Sequence, residues 1–221
     1  TRGKFSVPMV IRIPYGGGIN ALEHHSESPE AYFGHTPGLK VVIPSTPYDA
    51  KGMLIAAIED PDPVIFMEPK RIYRAVKQEV PEEKYILPLD KAKVLQAGEQ
   101  ITVIAYGAMI REAQKAIAIA KQKGYSVELI DLRSIWPIDR ETISLSVRKT
   151  GRALVVTEAP QSYGPAAELI SIINEEAFLS LEAPPSRLTG FDTVIPLPLG
   201  EKHYMISPER IAHEIERLIK Y

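Results

Sequence analysis

Short runs rich in β-branched residues alternate along this chain with segments of helical periodicity. That alternation constrains the fold more than any other feature: it reads as α/β with parallel strands. Val7 to Ile13 is the first strand. Ser28 is placed to cap a helix that has Pro29 at its first position. Leu39 to Ile43 is a short apolar strand. Thr46 caps a second helix, with Pro47 at its first position and Asp49 where the partner of a capping box sits. That helix runs to about Ile58, and Val64 to Met67 is the next strand. Residues 69 to 100 are punctuated by Pro69, Pro81 and Pro88 and rich in Glu and Lys, and read as an extended connector. The alternation then resumes with a strand over Ile101 to Tyr106 and an amphipathic helix over 109 to 123. Ile110, Ala113, Ile117 and Ala120 form its apolar stripe, and Gly124 ends it. Val127 to Leu132 and Ala153 to Thr157 are strands, separated by a helix that Asp139 caps and Gly151 ends. A further helix spans about Pro165 to Leu179, and Ser207-Pro208-Glu209 opens the last one, with Ile211, Ile215, Leu218 and Ile219 facing inward. The expected division is one block over 1–70, a linker over 71–96 and a second block over 97–221.

Composition removes several classes of function. A formal net charge of −2 gives no basic field for nucleic acid. No apolar run approaches the roughly 18 residues that span a bilayer. With 0 cysteines there is no disulfide, thiol nucleophile or cysteine metal site, which suits a reducing interior and a cytoplasmic location. Nineteen prolines beside that absence hint at a thermostable source. The chain starts at Thr1, without Met or a signal sequence, and Thr1-Arg2-Gly3-Lys4 leads straight into a strand, as if it began mid-protein.

The residues with chemistry to offer cluster in His24-His25-Ser26-Glu27-Ser28, between Gly16-Gly17-Gly18 and a helix start. An imidazole on a loop moves protons near neutral pH, because its unperturbed pKa is about 6.5. Adjacent histidines in an extended segment point to opposite sides and do not chelate one metal together, and no His-x-x-x-His pair occurs. A single catalytic histidine and a structural pair both stay open on chemistry alone. Ser26 lacks a nucleophile elbow. The glycines match neither the dinucleotide fingerprint nor the P-loop, and a tight turn competes with phosphate cradling. Asp60-Pro61-Asp62-Pro63 follows a helix whose terminal carbonyls, at Ala57 and Ile58, lack intrahelical partners; it is a polar turn or a seat for a hard cation. Glu158 ends a strand, either at an α/β crevice or as a satisfied structural carboxylate. His203 and His213 look like surface residues.

Four sets of residues carry a resemblance that covers essentially the whole chain. They are Val7-Pro8-Met9-Val10-Ile11-Arg12-Ile13-Pro14, His24-His25-Ser26-Glu27-Ser28-Pro29-Glu30-Ala31-Tyr32-Phe33, Pro37 through Gly52, and Glu68-Pro69-Lys70-Arg71-Ile72-Tyr73-Arg74. Ile130-Asp131-Leu132-Arg133, Ser146 through Arg152 and Glu158-Ala159-Pro160 continue it. Together they resemble the β subunit of the thiamine-diphosphate-dependent 2-oxo acid dehydrogenases (the E1 component). The wording around residues 28–33 and 68–74 looks closest to the branched-chain type and is shared by bacterial pyruvate-type subunits.

The resemblance implies a transketolase-like fold. The later part of a pyrimidine-binding domain occupies the first block and a transketolase C-terminal domain the second, each with a largely parallel sheet flanked by helices. It implies a heterotetramer with two E1 α subunits and a second β subunit. Thiamine diphosphate lies between subunits, with its Mg²⁺ on the α side. The family's active-site histidine falls on His25, near the thiazolium and implicated in reductive acylation of the lipoyl group of E2. That makes His25 the candidate for catalysis and for cofactor contact; a donor of its type can protonate the dithiolane sulfur as the ring opens. His24 falls where members vary and stays structural. The family's potassium loop falls on Met9, Ala57, Ile58, Asp60 and Asp62, mostly through backbone carbonyls, with Asp62 where Asn is common. The glutamate that activates the cofactor lies upstream of Thr1. The implied function is oxidative decarboxylation of pyruvate or a branched-chain 2-oxo acid with acyl transfer to lipoyl-E2. The rivals are an acetoin-dehydrogenase-type enzyme and a non-catalytic docking module.

Overall fold

The computed structural model describes residues 3–21 and 24–221. The elements run β1 (Val10–Tyr15), α1 (Glu30–Gly34), β2 (Lys40–Val42), α2 (Pro47–Glu59), β3 (Val64–Pro69), β4 (Lys93–Gln96), β5 (Ile101–Ala105), α3 (Met109–Gln122), β6 (Val127–Asp131), β7 (Ser134–Trp136), α4 (Arg140–Thr150), β8 (Ala153–Pro160), α5 (Pro165–Ala177), β9 (Ser186–Gly190), α6 (Pro198–Tyr204) and α7 (Pro208–Ile219). They build two sheets, ordered β1-β3-β2-β7 and β4-β6-β5-β8-β9. Every pairing is parallel except β7 on β2 and β4 on β6, so each sheet carries one antiparallel edge strand. Residues of β5, β6 and nearly all of β8 are buried, as expected where helices cover both faces of a parallel sheet. The α/β architecture read from the alternation is the one observed.

Local chemistry explains the helix ends. The Thr46 hydroxyl accepts the Asp49 N–H at 3.1 Å, Asp139 accepts the Thr142 N–H at 3.1 Å, and Ser207 accepts the Arg210 N–H at 3.3 Å. Gly151, at φ +69°, closes α4 in the left-handed conformation. The stripe Ile110, Ala113, Ile117 and Ala120 is buried on the face that α3 turns to the second sheet and α7.

Several expectations need correction. Ser28 caps nothing: α1 begins at Glu30 with Pro29 at its N-cap, and the Ser28 hydroxyl is buried without a partner. The first strand begins at Val10 and continues through Pro14 to Tyr15, because β1 is a sheet edge, where a missing N–H is tolerated. The segment after β3 is less a free connector than a strap on α2. Tyr85 stacks on Tyr48 at 4.6 Å between centroids, and the Leu87 N–H donates to the Gly52 carbonyl at 3.1 Å. A Cβ at Gly52 would stand 2.6 Å from Tyr85 and 2.7 Å from Leu87, so only glycine admits this approach. The strap ends in β4, an edge of the second sheet. Two further strands, β7 and β9, and the short helix α6 have no counterpart in the sequence reading, and the helix from Pro165 stops at Ala177 in a 3-10 turn.

The two blocks are joined through their interiors. Tyr15, Val41, Ile43, Ile65 and Met67 of the first share one apolar cluster with Ile104, Tyr106, Ile130 and Leu132 of the second. Above it, Arg133 (φ +61°, buried) pairs through its guanidinium with Asp49 of α2, while its carbonyl accepts the Ile43 N–H at 2.7 Å. Asp49 therefore serves Arg133 with one oxygen and accepts the Thr46 hydroxyl with the other, at 2.6 Å, so it returns to the cap through the side chain. Asp131 lies alongside, accepting the Ser45 hydroxyl and, at 3.2 Å, the Arg133 N–H; burial pushes its carboxyl up to about 7. Among the described residues no helix is long and apolar enough to cross a membrane.

Candidate functional site

The loop that carries the histidines is closed at its base. The Gly16 N–H donates to the Glu27 carbonyl at 3.0 Å, so the segment leaves β1 and returns to the same point before α1. Gly16 and Gly18 (φ +89° and +81°) and Asn20 (φ +54°) turn it. His24, at φ +51°, breaks the extended geometry expected for the pair, and its Nδ1 lies 2.7 Å from Glu27 Oε1 in an exposed contact of small energetic value. His25 is exposed, and the Lys70 ammonium donates to its backbone carbonyl. Its neighbours His24, Ser26 and Glu27 line a cleft of about 340 Å³ whose other wall is the apolar run Val194 to Leu197. A second concavity, of about 310 Å³, lies between α1 and α5 with Trp136 and Tyr163 in its lining; none of the predicted site residues faces it.

The glycine amides do face anions, but the protein's own. Gly17 N–H donates to Glu158 at 3.1 Å, and Gly18 and Asn20 N–H donate to the two oxygens of Glu201 at 2.7 and 2.8 Å. A phosphate has no amides left to take there, which resolves the glycine run as a braced turn and Glu158 as a satisfied structural carboxylate.

Beneath the loop, Glu30 is fully buried beside Glu158, Tyr106, Tyr15 and Tyr204. Burial, helped by the Glu158 charge, pushes the Glu30 carboxyl up to about 8. The folded protein then holds a proton that the unfolded chain releases near pH 4.5. Stability from this group is complete below that value and is lost as pH rises toward 8. Glu30→Gln removes the titration. Its melting curve should match wild type near pH 4.5 and gain steadily to about pH 8, by about 10 °C at a worth of about 1.4 kcal/mol per pKa unit. Thermal melts of the two proteins across that range check it, and parallel curves defeat it.

The residues proposed for a cation gather at the C-terminal end of α2. Ala57 and Ile58 lie in its last turn and Asp60 follows as the C-cap. Carbonyls there lack helical partners and carry the negative end of the helix dipole. The Met9 carbonyl accepts the Val64 N–H at 2.8 Å. The Asp60 and Asp62 carboxylates are committed elsewhere: the Lys40 ammonium lies 2.7 Å from both Asp60 oxygens and 3.2 Å from Asp62. Backbone oxygens, not the two carboxylates, are what this end of the helix can offer an ion. Among the described residues no group of three or more His, Asp and Glu could hold a metal.

Residues 1–76 match the pyrimidine-binding domain of transketolase and residues 90–211 the transketolase C-terminal domain. The pyruvate dehydrogenase E1 component subunit beta of Acholeplasma laidlawii is 61% identical over 220 residues, covering 100% of this chain and 67% of that protein. The chain belongs to the E1 β family of 2-oxo acid dehydrogenases. The corresponding subunit of Mycoplasma genitalium is 46% identical, over 100% of this chain and 68% of that one. The mitochondrial 2-oxoisovalerate dehydrogenase subunit beta of Dictyostelium discoideum is 49% identical over 214 residues, 96% of this chain and 58% of that one. This E1 β chain thus spans about two thirds of the length of its pyruvate-type relatives. A split-gene transketolase, an inactive β4 tetramer, shares the fold at a TM-score of 0.77 and 20% identity, over 99% of this chain and 70% of that one. Family membership carries thiamine diphosphate dependence and an α subunit as partner.

Of the residues that shape the E1 β loop, sequence reasoning missed Lys70, Arg71 and Glu201. Arg71 packs its side chain against Gly18, where a Cβ would stand 2.4 Å from Arg71 Cδ. Lys70 and Arg71 sit in a segment that resembles the family, which was the one available signal. Glu201 had none: it is a lone acid in the first turn of a seven-residue helix.

Proposed function

We propose that this chain is the β subunit of a pyruvate-type E1, working in the cytoplasm with an α subunit, a second β subunit and a lipoyl-bearing E2. The observation that carries the reading is identity of 61% across the whole chain with a pyruvate-type subunit, against 49% with a branched-chain one. Thiamine diphosphate with Mg²⁺, held mainly by the α partner, supplies the carbanion chemistry that releases CO₂. The contribution of this chain is His25. Its exposure on a loop beside a cleft supports a role in which it faces a crevice shared with the partner and contacts the cofactor. As the acyl group bonds to one sulfur of the lipoyl dithiolane and the S–S bond breaks, His25 delivers a proton to the other sulfur. The carbonyls of Ala57, Ile58, Asp60, Asp62 and Met9 are proposed to seat K⁺: an all-oxygen set at a helix C-terminus suits a hard monovalent cation.

The test is reconstitution of the β subunit, including the stretch that carries the cofactor-activating glutamate, with α subunit, thiamine diphosphate and Mg²⁺, and with ferricyanide as electron acceptor. The expected kcat/KM is at least about tenfold higher for pyruvate than for 3-methyl-2-oxobutanoate, the size of effect that a pocket reading one or two methyl groups gives. KCl is expected to raise thermal stability over equal choline chloride. A reversed preference assigns the branched-chain type, for which the Dictyostelium relative speaks. Binding of α without turnover on any 2-oxo acid leaves only an assembly role.

A further inference from the structure

Two carboxylates from the second block end inside the loop of the first. Glu201, in α6, and Glu158, in β8, are each 3% exposed. Their hydrogen-bond partners are backbone amides 141 to 183 residues away: Gly17 for Glu158, Gly18 and Asn20 for Glu201. The Gly17 amide is taken by Glu158, and the Gly18 and Asn20 amides by the two oxygens of Glu201, so two side-chain carboxylates share the donors of this turn. The glycines are what let the backbone come so close. A Cβ on Gly17 would stand 2.8 Å from Met205 Sδ and 3.2 Å from Ile195 Cδ1. The same loop is tied at its base by Gly16 to Glu27 and at its far side by Lys70 to the His25 carbonyl. His25 lies on the same loop as the Gly17–Asn20 limb that α6 pins, and its own carbonyl is held by Lys70. That helix is itself fixed: the Tyr204 hydroxyl donates to the Phe191 carbonyl at 3.2 Å, and Tyr204 packs edge-on to the Phe191 ring at 5.8 Å.

We propose that Glu201 is a positioning residue for acyl transfer, holding the His25 loop in register through the Gly18 and Asn20 amides. The inference rests on the E1 β reading of His25 and adds to it the element that sets where the imidazole stands. A general acid must reach its target atom within hydrogen-bond distance, and a displacement near 1 Å costs about a hundredfold. Glu201 meets the loop through the Gly18 and Asn20 amides, so its effect on acyl transfer runs through the loop.

The experiment uses the assembled enzyme carrying Glu201→Ala or Glu201→Gln, the second to keep one acceptor oxygen and the fold. Two rates are measured on each: acylation of a lipoyl domain and ferricyanide-coupled decarboxylation. The ratio of the first to the second should fall about a hundredfold for Ala and about tenfold for Gln. Amide exchange at Gly18 and Asn20 should accelerate in both variants, with exchange in β5 and β8 unchanged. A purely structural role lowers both rates together with the folded fraction, leaves the ratio at the wild-type value and so overturns the proposal. Unchanged exchange at Gly18 and Asn20 overturns it as well. If wild type decarboxylates but acylates no lipoyl domain, the functional reading of His25 fails, and the exchange data still decide whether Glu201 pins the loop.

Discussion

Replacing His25 with alanine in the assembled E1 is expected to cut acylation of a lipoyl domain by about two to four orders of magnitude, the range a positioned proton donor contributes. The ferricyanide-coupled rate should fall far less, because that acceptor takes electrons without a sulfur to protonate. The two rates part only if the imidazole acts at the dithiolane. Equal losses would make His25 a residue of the decarboxylation half or of the fold, and no loss would leave it a surface histidine. Stability gives an independent control. His25 is exposed, its loop is held through backbone groups of Gly16, Gly17, Gly18, Asn20 and of His25 itself, and alanine keeps all of these. A melting temperature measured beside the two rates separates loss of the proton donor from loss of the fold. His25→Gln, which keeps a donor of similar reach without an exchangeable ring proton, should recover little of the acylation rate.

What was legible in the sequence follows the range of the interaction responsible. Caps act over three residues, so Thr46, Asp139, Ser207 and Gly151 announce their helices correctly. The apolar stripe of α3 is a local period and reads equally well. Ser28 misled because its cap geometry needs a β-region residue directly before the helix, and Pro29 stands there instead, at φ −89° and ψ 22°. The three residues of β7 carry no period; their reason for being a strand is the edge of β2, reached only after Arg133 reverses the chain. The strap over residues 73–90 hides its two anchors, Tyr85 and Leu87, in polar composition. At the site, residue chemistry alone left catalytic and structural roles open for the histidines. The resemblance singled out His25, and only the tertiary structure shows Glu158 and Glu201 filling the amides that the glycine run offers. Nothing within a few residues of Glu201 could signal a partner 183 positions away.

Arg133 should produce the largest loss of stability of any single side chain discussed. Its guanidinium is 8% exposed and its partner Asp49 2%, and the pair joins α2 of the first block to the turn between β6 and β7 of the second. Arg133→Met leaves Asp49 buried without a counter-charge, an arrangement that costs about 3–5 kcal/mol. At roughly 2–4 °C per kcal/mol for a chain of this size, the melting temperature should drop by about 10 °C. The double variant Arg133→Met with Asp49→Leu removes both charges and should recover most of the loss, giving a coupling of about 2 kcal/mol or more in the cycle. The pH dependence separates electrostatics from lost packing. In the Met variant Asp131 lacks the nearby cation; its carboxyl, already pushed up to about 7 by burial with Arg133 present, is raised further. A carboxyl whose folded value is raised stabilises below its unfolded value, 3.8 for Asp131, and loses that contribution as pH climbs through the folded one. The deficit of Arg133→Met should thus hold level from about pH 4 to about pH 7, where Asp131 is protonated in both folded proteins, and grow as pH climbs from about 7 to about 9. A deficit that stays constant across that span, or a double variant no better than the single one, would mean that Arg133 holds the two blocks together by shape and not by charge.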